Sequence, residues 1–218
     1  MNRQTRIIDA VCTAVMAWRS YPAIIICLIL CVIAPHASAA IITTGDVTPN
    51  PNTTTSNDDL YVGDTADGTM TVDGGSDVDS LLGYIGDDAD LIGTATVTGS
   101  GSTWTNSAEL YVGYTGSGTL NIEDGGAVSN VSGYIGLDYQ FGGSTGTATV
   151  TGVGSTWTNN GALSVGQSGA GTLNIENGGT VSNTTGTIGY VSGSIGTATV
   201  TEVGSTWTNS GDLYIGNS

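Results

Sequence analysis

A tryptophan-containing segment recurs three times along this chain, and its spacing is the strongest constraint on the fold. The segment reads GSGSTWTNS at 99–107, GVGSTWTNN at 152–160 and EVGSTWTNS at 202–210. Its tryptophans, Trp104, Trp157 and Trp207, are 53 and 50 residues apart. Such long periods are typical of solenoids, in which each unit buries its apolar face against the next unit.

Each unit of about fifty residues divides into two similar halves. LYVG at 110, GTLNI at 118 and GAVSN at 126 correspond to GYIG at 133, GTATV at 146 and GSTWTN at 154. The elementary period is therefore 23 to 29 residues. We place six coils at 58–80, 81–107, 108–131, 132–160, 161–184 and 185–210, with a seventh beginning at Gly211.

Every coil contains three short runs in which apolar and polar residues alternate, which predicts three strands. In GTLNI, for example, Leu120 and Ile122 share one face and Asn121 lies on the other. One coil cannot bury its apolar face alone, so coils must stack about 4.8 Å apart. We predict an all-β fold, a right-handed parallel β-helix (β-solenoid) of about six coils. An antiparallel all-β fold with turns at Asp73-Gly74 and Asn177-Gly178 is the alternative.

An asparagine ends the third strand of five successive coils. Asparagine tolerates left-handed backbone angles, and stacked amide side chains can hydrogen-bond along the solenoid axis. We therefore predict corner residues at Asn106, Asn130, Asn159, Asn183 and Asn209. Two of these positions also create the glycosylation patterns Asn130-Val-Ser and Asn183-Thr-Thr, which the repeat generates by itself.

Residues 1–39 have the features of a secretory signal peptide. A basic segment with Arg3, Arg6 and Arg19 precedes the apolar run 23–34, and Ala37-Ser38-Ala39 predicts cleavage after Ala39. The alternative is an uncleaved anchor, although the run is shorter than the roughly 20 residues a spanning helix needs. We expect an exported chain located at the cell surface, in the outer membrane or outside the cell. Residues 40–57 are predicted to be a linker or an N-terminal cap.

After Ala39 the chain has 18 acidic residues and no lysine, arginine, histidine or cysteine. Without basic groups it cannot neutralise phosphates, so nucleic-acid binding is excluded, and membrane contact is expected only through the leader or a missing C-terminal domain. Serine-histidine and cysteine-histidine relays, His/Cys zinc sites and disulfides are excluded as well. We predict no enzymatic activity and no cofactor, with calcium as the one possible exception.

Calcium binds six to eight oxygen ligands, and two stretches of the chain are rich in carboxylates. DGGSDVD at 73–79 and DDAD at 87–90 have neither EF-hand spacing nor the calcium nonapeptide of β-rolls, so solvated loops are the simpler interpretation. The weak calcium candidates are Asp73, Asp77, Asp79, Asp87, Asp88 and Asp90.

Aromatic residues supply candidate glycan contacts. The tryptophans occupy the strand position that Val128 and Val181 take in the intervening coils, which favours core packing over sugar stacking. Tyrosines that lie opposite the Leu/Val face are expected at the surface. The glycan-contact candidates are Tyr61, Tyr111 and Tyr214, with Trp104, Trp157 and Trp207 as the less favoured set.

Asp73, Glu123 and Glu176 follow the same strand on alternate coils and form a sparse acidic column. Their expected separation of about 10 Å is just beyond the separation typical of an inverting glycosidase. Because a repeated residue usually serves structure or solubility, catalysis at these positions is the weaker hypothesis.

The units GTLNIEDGGAVSNVSGYIG, GTATVTGVGSTWTNNGALSVG and GTLNIENGGTVSN resemble the repeat shared by autotransporter (type V secretion) passengers and proteins with a PEP-CTERM sorting signal. The similarity covers 58–218 and implies an exported β-helical passenger or surface protein of a Gram-negative bacterium. Neither a translocator barrel nor a sorting motif is present, and the chain stops in mid-coil, so we expect a truncated fragment. The resemblance implies no catalytic residues.

We therefore predict a non-enzymatic passenger fragment for surface display, adhesion or matrix contact. Its expected partners are an extracellular glycan, a matrix, or a host or cell surface. A carbohydrate-active β-helix enzyme that uses carboxylates and an inert surface stalk are the alternatives.

Overall fold

The computed structural model describes residues 39–138 and 143–216, and every helix or strand assigned in these ranges is a β-strand. The predicted leader, apart from Ala39, lies outside the described residues. No helix capable of crossing a membrane occurs in the two described ranges. The strands, numbered in chain order, form three sheets.

The first sheet contains the longest strands, and the second and third sheets contain short ones. The first sheet consists of β1 (Ala40–Gly45), β4 (Gly68–Asp73), β7 (Ile92–Thr98), β10 (Ser117–Glu123), β13 (Thr145–Thr151), β16 (Ala170–Glu176) and β19 (Ile195–Val200). The second sheet consists of β2 (Val47–Thr48), β3 (Leu60–Val62), β6 (Gly83–Ile85), β9 (Leu110–Val112), β12 (Gly133–Ile135), β15 (Leu163–Val165), β18 (Gly186–Ile188) and β21 (Leu213–Ile215). The third sheet consists of β5 (Asp77–Ser80), β8 (Thr103–Asn106), β11 (Ala127–Asn130), β14 (Thr156–Asn159), β17 (Thr180–Asn183) and β20 (Thr206–Asn209).

Each coil contributes one strand to each sheet, and successive coils pair in parallel with equivalent positions opposite each other. Thr119 of β10, for example, lies between Thr94 of β7 and Thr147 of β13. The six predicted coils are confirmed, and β21 is the first strand of a seventh. The β-solenoid prediction is therefore confirmed, and the antiparallel alternative is wrong because the coils pair in parallel.

The segment before the first coil covers its open edge with antiparallel strands. β1 pairs with β4, and β2 pairs with β3. Ile41 and Val47 pack against the core from this segment. An uncovered sheet edge offers unpaired N–H and C=O groups to other chains, so this pairing closes one end of the first and second sheets.

A glycine forms the bend from the second to the first sheet in every coil. Gly113 has a φ of +73°, and a Cβ atom there would lie 2.2 Å from the carbonyl oxygen of Thr145 in the next coil. Both the backbone angle and the close approach of the next coil require glycine.

Core side chains alternate in size from coil to coil at one inward position of each sheet. The inward column of the second sheet is Leu60, Gly83, Leu110, Gly133, Leu163 and Gly186. The column of the first sheet is Met70, Ala95, Leu120, Ala148, Leu173 and Ala198. The column of the third sheet is Val78, Trp104, Val128, Trp157, Val181 and Trp207.

Even-numbered coils thus combine glycine, alanine and tryptophan, whereas odd-numbered coils combine two long apolar residues with valine. A Cβ atom on Gly133 would lie 3.0 Å from Cζ2 of Trp157 and 2.9 Å from Cδ1 of Leu163. The indole of Trp157 in the same coil and the side chain of Leu163 in the next coil therefore occupy the space that the glycine leaves. Because interiors are closely packed, this size exchange explains why the true repeat is a pair of coils.

A hydrogen-bond chain links the two coils of each pair at the predicted asparagine corners. The indole Nε1 of Trp157 donates to Oδ1 of Asn130 at 2.7 Å, and Nδ2 of Asn130 donates to Oδ1 of Asn159 at 2.7 Å. Trp207 donates to Asn183 at 2.6 Å, and Asn183 donates to Asn209 at 2.5 Å. The predicted axial amide hydrogen bonds are confirmed at these positions, whereas none of the five predicted corner asparagines has a left-handed backbone.

The first pair of coils uses a serine in place of the first asparagine. Trp104 Nε1 donates to Ser80 Oγ at 3.1 Å, and Ser80 Oγ donates to Asn106 Oδ1 at 2.8 Å. The Nδ2 groups of Asn106 and Asn159 are buried and have no hydrogen-bond partner. The axial chain therefore joins coils in pairs rather than running continuously.

Replacing Gly133 by alanine tests the size exchange. The new methyl group overlaps Oδ1 of Asn159 and the side chains of Leu163 and Trp157, so we expect a loss of about 1–3 kcal/mol in the free energy of unfolding. Urea denaturation followed by circular dichroism measures the change. Val153→Ala, at a position that is 87% exposed, is the control and should change stability by less than about 0.5 kcal/mol. A Gly133→Ala variant as stable as this control would contradict the packing argument.

Asn130 is the central link of its hydrogen-bond chain, and the first coil supplies a natural comparison. Asn130→Ala leaves the Trp157 N–H and Asn159 Oδ1 buried without partners, which should cost about 1–3 kcal/mol for each group left unsatisfied. Asn130→Ser reproduces the hydroxyl of Ser80 and should retain part of that stability. Equal thermal midpoints for the two variants would show that the chain does not stabilise the fold.

Candidate binding face

Tyrosines form a continuous column on the outward face of the second sheet. Tyr61, Tyr84, Tyr111 and Tyr134 occupy equivalent positions in β3, β6, β9 and β12. Their ring centroids are 4.8, 5.0 and 5.3 Å apart, with interplanar angles of 4°, 15° and 12°. We call these four residues the tyrosine stack. Offset or parallel aromatic pairs at such distances stabilise a fold beyond the area they bury.

The stacking decides which parts of the rings are presented to a ligand. The inner rings, Tyr84 and Tyr111, contact a neighbouring ring on each face, so a ligand could contact these two rings only at their edges. Tyr114 adds edge-on contacts to both, with centroid distances of 5.3 and 5.1 Å. The column continues in later coils as Ser164 and Thr187. The stacked tyrosines are therefore confined to coils one to four, and the next tyrosine of the column is Tyr214 in the seventh coil.

Carboxylates lie on both sides of the stack. Asp59 precedes β3, while Asp64 and Asp87 follow the bends after β3 and β6. Burial raises the pKa of Tyr61, and the charges of Asp59, Asp87 and Asp64 raise it further. Burial likewise raises the pKa of Tyr84, with contributions from Tyr61 and Asp59. Both hydroxyl groups therefore stay protonated and can donate as well as accept hydrogen bonds near neutral pH.

Asp87 is the most perturbed carboxyl group of this face. It is half-buried, and burial, followed by the charges of Asp64 and Asp88, raises its pKa to about 6. A hydrogen bond with the Asp64 side chain contributes to the same shift. No lysine, arginine or histidine follows His36, so no basic side chain in the described ranges offsets these charges.

The predicted aromatic contacts divide into two groups in the structure. Trp104 and Trp157 are 0% exposed, and Trp207 packs against the core from the third sheet. The core prediction is confirmed for the first two, and a buried ring offers no face to a sugar, so they are removed as glycan contacts. Tyr61 and Tyr111 lie in the tyrosine stack. Tyr214 lies apart from it at the far end of the column, where its hydroxyl donates to Asp212 at 3.1 Å.

Sequence reasoning missed Tyr84 and Tyr134, which form half of the stack. Their segments read GYIG, in which glycine replaces the leucine that marks the odd-numbered coils. Alignment of GYIG with LYVG contained the signal, since the two segments occupy equivalent positions in neighbouring coils.

The calcium candidates occupy three separate places. Asp73 ends β4 of the first sheet, Asp77 and Asp79 lie on β5 of the third sheet, and the remaining three lie in the loop after β6. Within residues 39–138 and 143–216, no group of three or more acidic side chains is arranged to hold a metal ion. The six predicted ligands are therefore not brought together as one site.

Glu123 and Glu176 of the predicted acidic column lie in one column of the first sheet. Glu123 of β10 lies between Thr98 and Thr151, and Thr151 lies opposite Glu176. Adjacent carboxylates of this column are thus two coils, or about 10 Å, apart. The same sheet carries a second outward column made entirely of threonines, which are Thr44, Thr69, Thr94, Thr119, Thr147, Thr172 and Thr197.

Comparison with protein-family models, with curated proteins and with solved structures finds no match to this chain. The resemblance to the autotransporter and PEP-CTERM-associated repeat accordingly stays a prediction from the sequence.

Asp87→Asn should stabilise the protein in a pH-dependent way. The pKa of Asp87 is higher in the folded chain, about 6, than its ordinary value of 3.8, so ionised Asp87 disfavours folding above about pH 6. After allowance for its partial exposure we expect Asp87→Asn to gain about 1 kcal/mol at pH 7.5. The gain should vanish near pH 4, where the wild-type carboxyl group is increasingly protonated in both states.

Thermal unfolding at several pH values measures the difference between this variant and the wild type. Asp79→Asn removes one charge from an exposed position of the third sheet and serves as the control. An Asp87→Asn variant that is less stable than the wild type at pH 7.5 would rule out the assigned role of burial.

Proposed function

We propose that this chain is an exported, non-enzymatic passenger segment of the autotransporter type, which acts in surface display and adhesion. The observation that carries the proposal is the tyrosine stack, a row of equivalent aromatic edges on one outer face. Extracellular glycans, a matrix or a cell surface are its proposed partners. Equivalent groups at regular intervals suit multivalent contact, because several weak contacts add through effective concentration.

The solenoid gives this function its mechanical basis. Each coil adds about 4.8 Å to the length, so coils one to four hold the outer rings of the stack about 14 Å apart. The close-packed core and the axial hydrogen bonds keep the rings in fixed positions. A rigid presentation lowers the ordering entropy that binding must overcome.

Deletion of one pair of coils tests adhesion with a matched control. Removing 110–162 joins Glu109 to Leu163, preserves the register of the second sheet and removes Tyr111 and Tyr134. Removing 163–212 together with Tyr214→Ser joins Ala162 to Leu213, also removes two coils, keeps a serine beside Tyr134 as in the full chain and leaves the tyrosine stack intact. Circular dichroism checks that both shortened chains keep their strands.

Binding of each chain to immobilised glycans and to whole cells is the measurement. We expect the first deletion to weaken binding at least tenfold and the second to leave it nearly unchanged, since multivalent binding depends steeply on the number of contacts. Equal binding by the two deletions would place the contact elsewhere. No binding by the full chain would favour an inert stalk, and release of soluble sugars would favour an enzyme.

A further inference from the structure

The partner of the tyrosine stack must suit a face that has carboxylates and no compensating cation. Of the 18 acidic residues after Ala39, 11 lie between Asp46 and Asp90, in the cap and the first two coils. Asp59, Asp64 and Asp87 are among them, and all three act electrostatically on the hydroxyl group of Tyr61. Such a field attracts cationic ligands and repels anionic ones.

The arrangement of the rings limits which kind of cationic ligand can bind to this face. An arginine or lysine side chain binds an aromatic residue best over the face of the ring. The faces of Tyr84 and Tyr111 are occupied by neighbouring rings on both sides. A basic peptide therefore lacks its preferred contact along most of the stack, and a neutral sugar likewise lacks a free ring face.

What the face presents is a row of hydroxyl groups beside carboxylates. Tyrosine hydroxyl groups both donate and accept hydrogen bonds and match sugar hydroxyls, whereas carboxylates accept from ammonium groups. Asp59 also favours a cationic ligand, because its Oδ1 atom is buried without a hydrogen-bond partner. A positive charge nearby lowers the free-energy cost of that buried oxygen.

We propose that coils one to three of this face bind a cationic amino-polysaccharide, whose ammonium groups lie beside Asp59, Asp64 and Asp87 and whose hydroxyl groups contact the tyrosine edges. This inference rests on the proposed adhesive function and names its ligand. A rigid polymer running along the column contacts successive coils, so each further sugar adds a similar contact. Glu109 extends the acidic border to the third coil, because it precedes Leu110 as Asp59 precedes Leu60.

The test compares short, soluble glucosamine oligomers with the fully N-acetylated oligomers of equal length, using calorimetry on the full chain. Acetylation removes the positive charge and keeps the sugar backbone. We expect the charged oligomers to bind at least tenfold more tightly at low ionic strength, with the preference decreasing as salt is added. Oligolysine of similar charge should bind more weakly than the glucosamine oligomers, because it lacks hydroxyl groups.

Two double variants locate the contact. Asp64→Asn with Asp87→Asn should weaken binding of the glucosamine oligomers about fivefold to tenfold, since two ion contacts are lost. Asp77→Asn with Asp79→Asn removes the same charge from β5 in the third sheet and should have less than a twofold effect. Tyr84→Phe with Tyr111→Phe keeps the rings, removes their hydroxyl groups and should reduce the advantage of the glucosamine oligomers over oligolysine.

The outcomes separate this inference from the function on which it rests. Equal binding of charged and acetylated oligomers would overturn the inference and leave glycan adhesion standing. Equal losses in the two aspartate variants, or tighter binding of oligolysine, would also overturn it, since they indicate attraction to net charge or to a peptide. Absence of binding to every glycan and to cells would remove the adhesive function as well.

Discussion

Parallel pairing between equivalent positions of successive coils governs the structure from the core to the surface. Once Leu120 lies between Ala95 and Ala148, all the remaining residues of that strand also lie beside their counterparts in the neighbouring coils. Side chains are thereby sorted into axial columns, inward or outward according to the two-residue period of a strand. The type of side chain on this surface is consequently repeated or interrupted along one column at a time.

The same constraint explains the pairing of coils. In one inward column of each sheet the stacked side chains compete for the same volume, so a large residue in one coil is followed by a small one in the next. Gly133 and Ala148 make room for Trp157 within one coil, and the odd-numbered coils restore the volume with leucine. The indole N–H then needs an acceptor, which Asn130 of the preceding coil provides. Packing and hydrogen bonding thus select the same fifty-residue unit.

Repetition made most of the fold predictable, and departures from repetition mark where prediction failed. The coil boundaries, the inward leucines and valines, the buried tryptophans and the asparagine corners follow from alignment of the repeat with itself. The antiparallel pairing of 40–48 has no counterpart in the coils, so no repeat revealed its partner strands. Tyr84 was missed because Gly83 precedes it, and that glycine is required because a Cβ atom there would lie 2.8 Å from Cζ2 of Trp104. The pKa of Asp87 is raised first by burial and then by the charge of Asp64 in the preceding coil, and only the stacked structure supplies both.

Stacking alone accounts for an outward column whose residue type persists through every coil, as the threonines of the first sheet do. The second sheet behaves differently, because tyrosine gives way to Ser164 and Thr187 without any change in strand pairing. The fold therefore does not require tyrosine at this position. Acidic residues are densest toward the same end of the solenoid, where burial and then neighbouring like charges raise the pKa of Asp87. The proposed cationic ligand therefore rests on two features that strand pairing does not require, the tyrosine stack and the carboxylates concentrated at the same end of the solenoid.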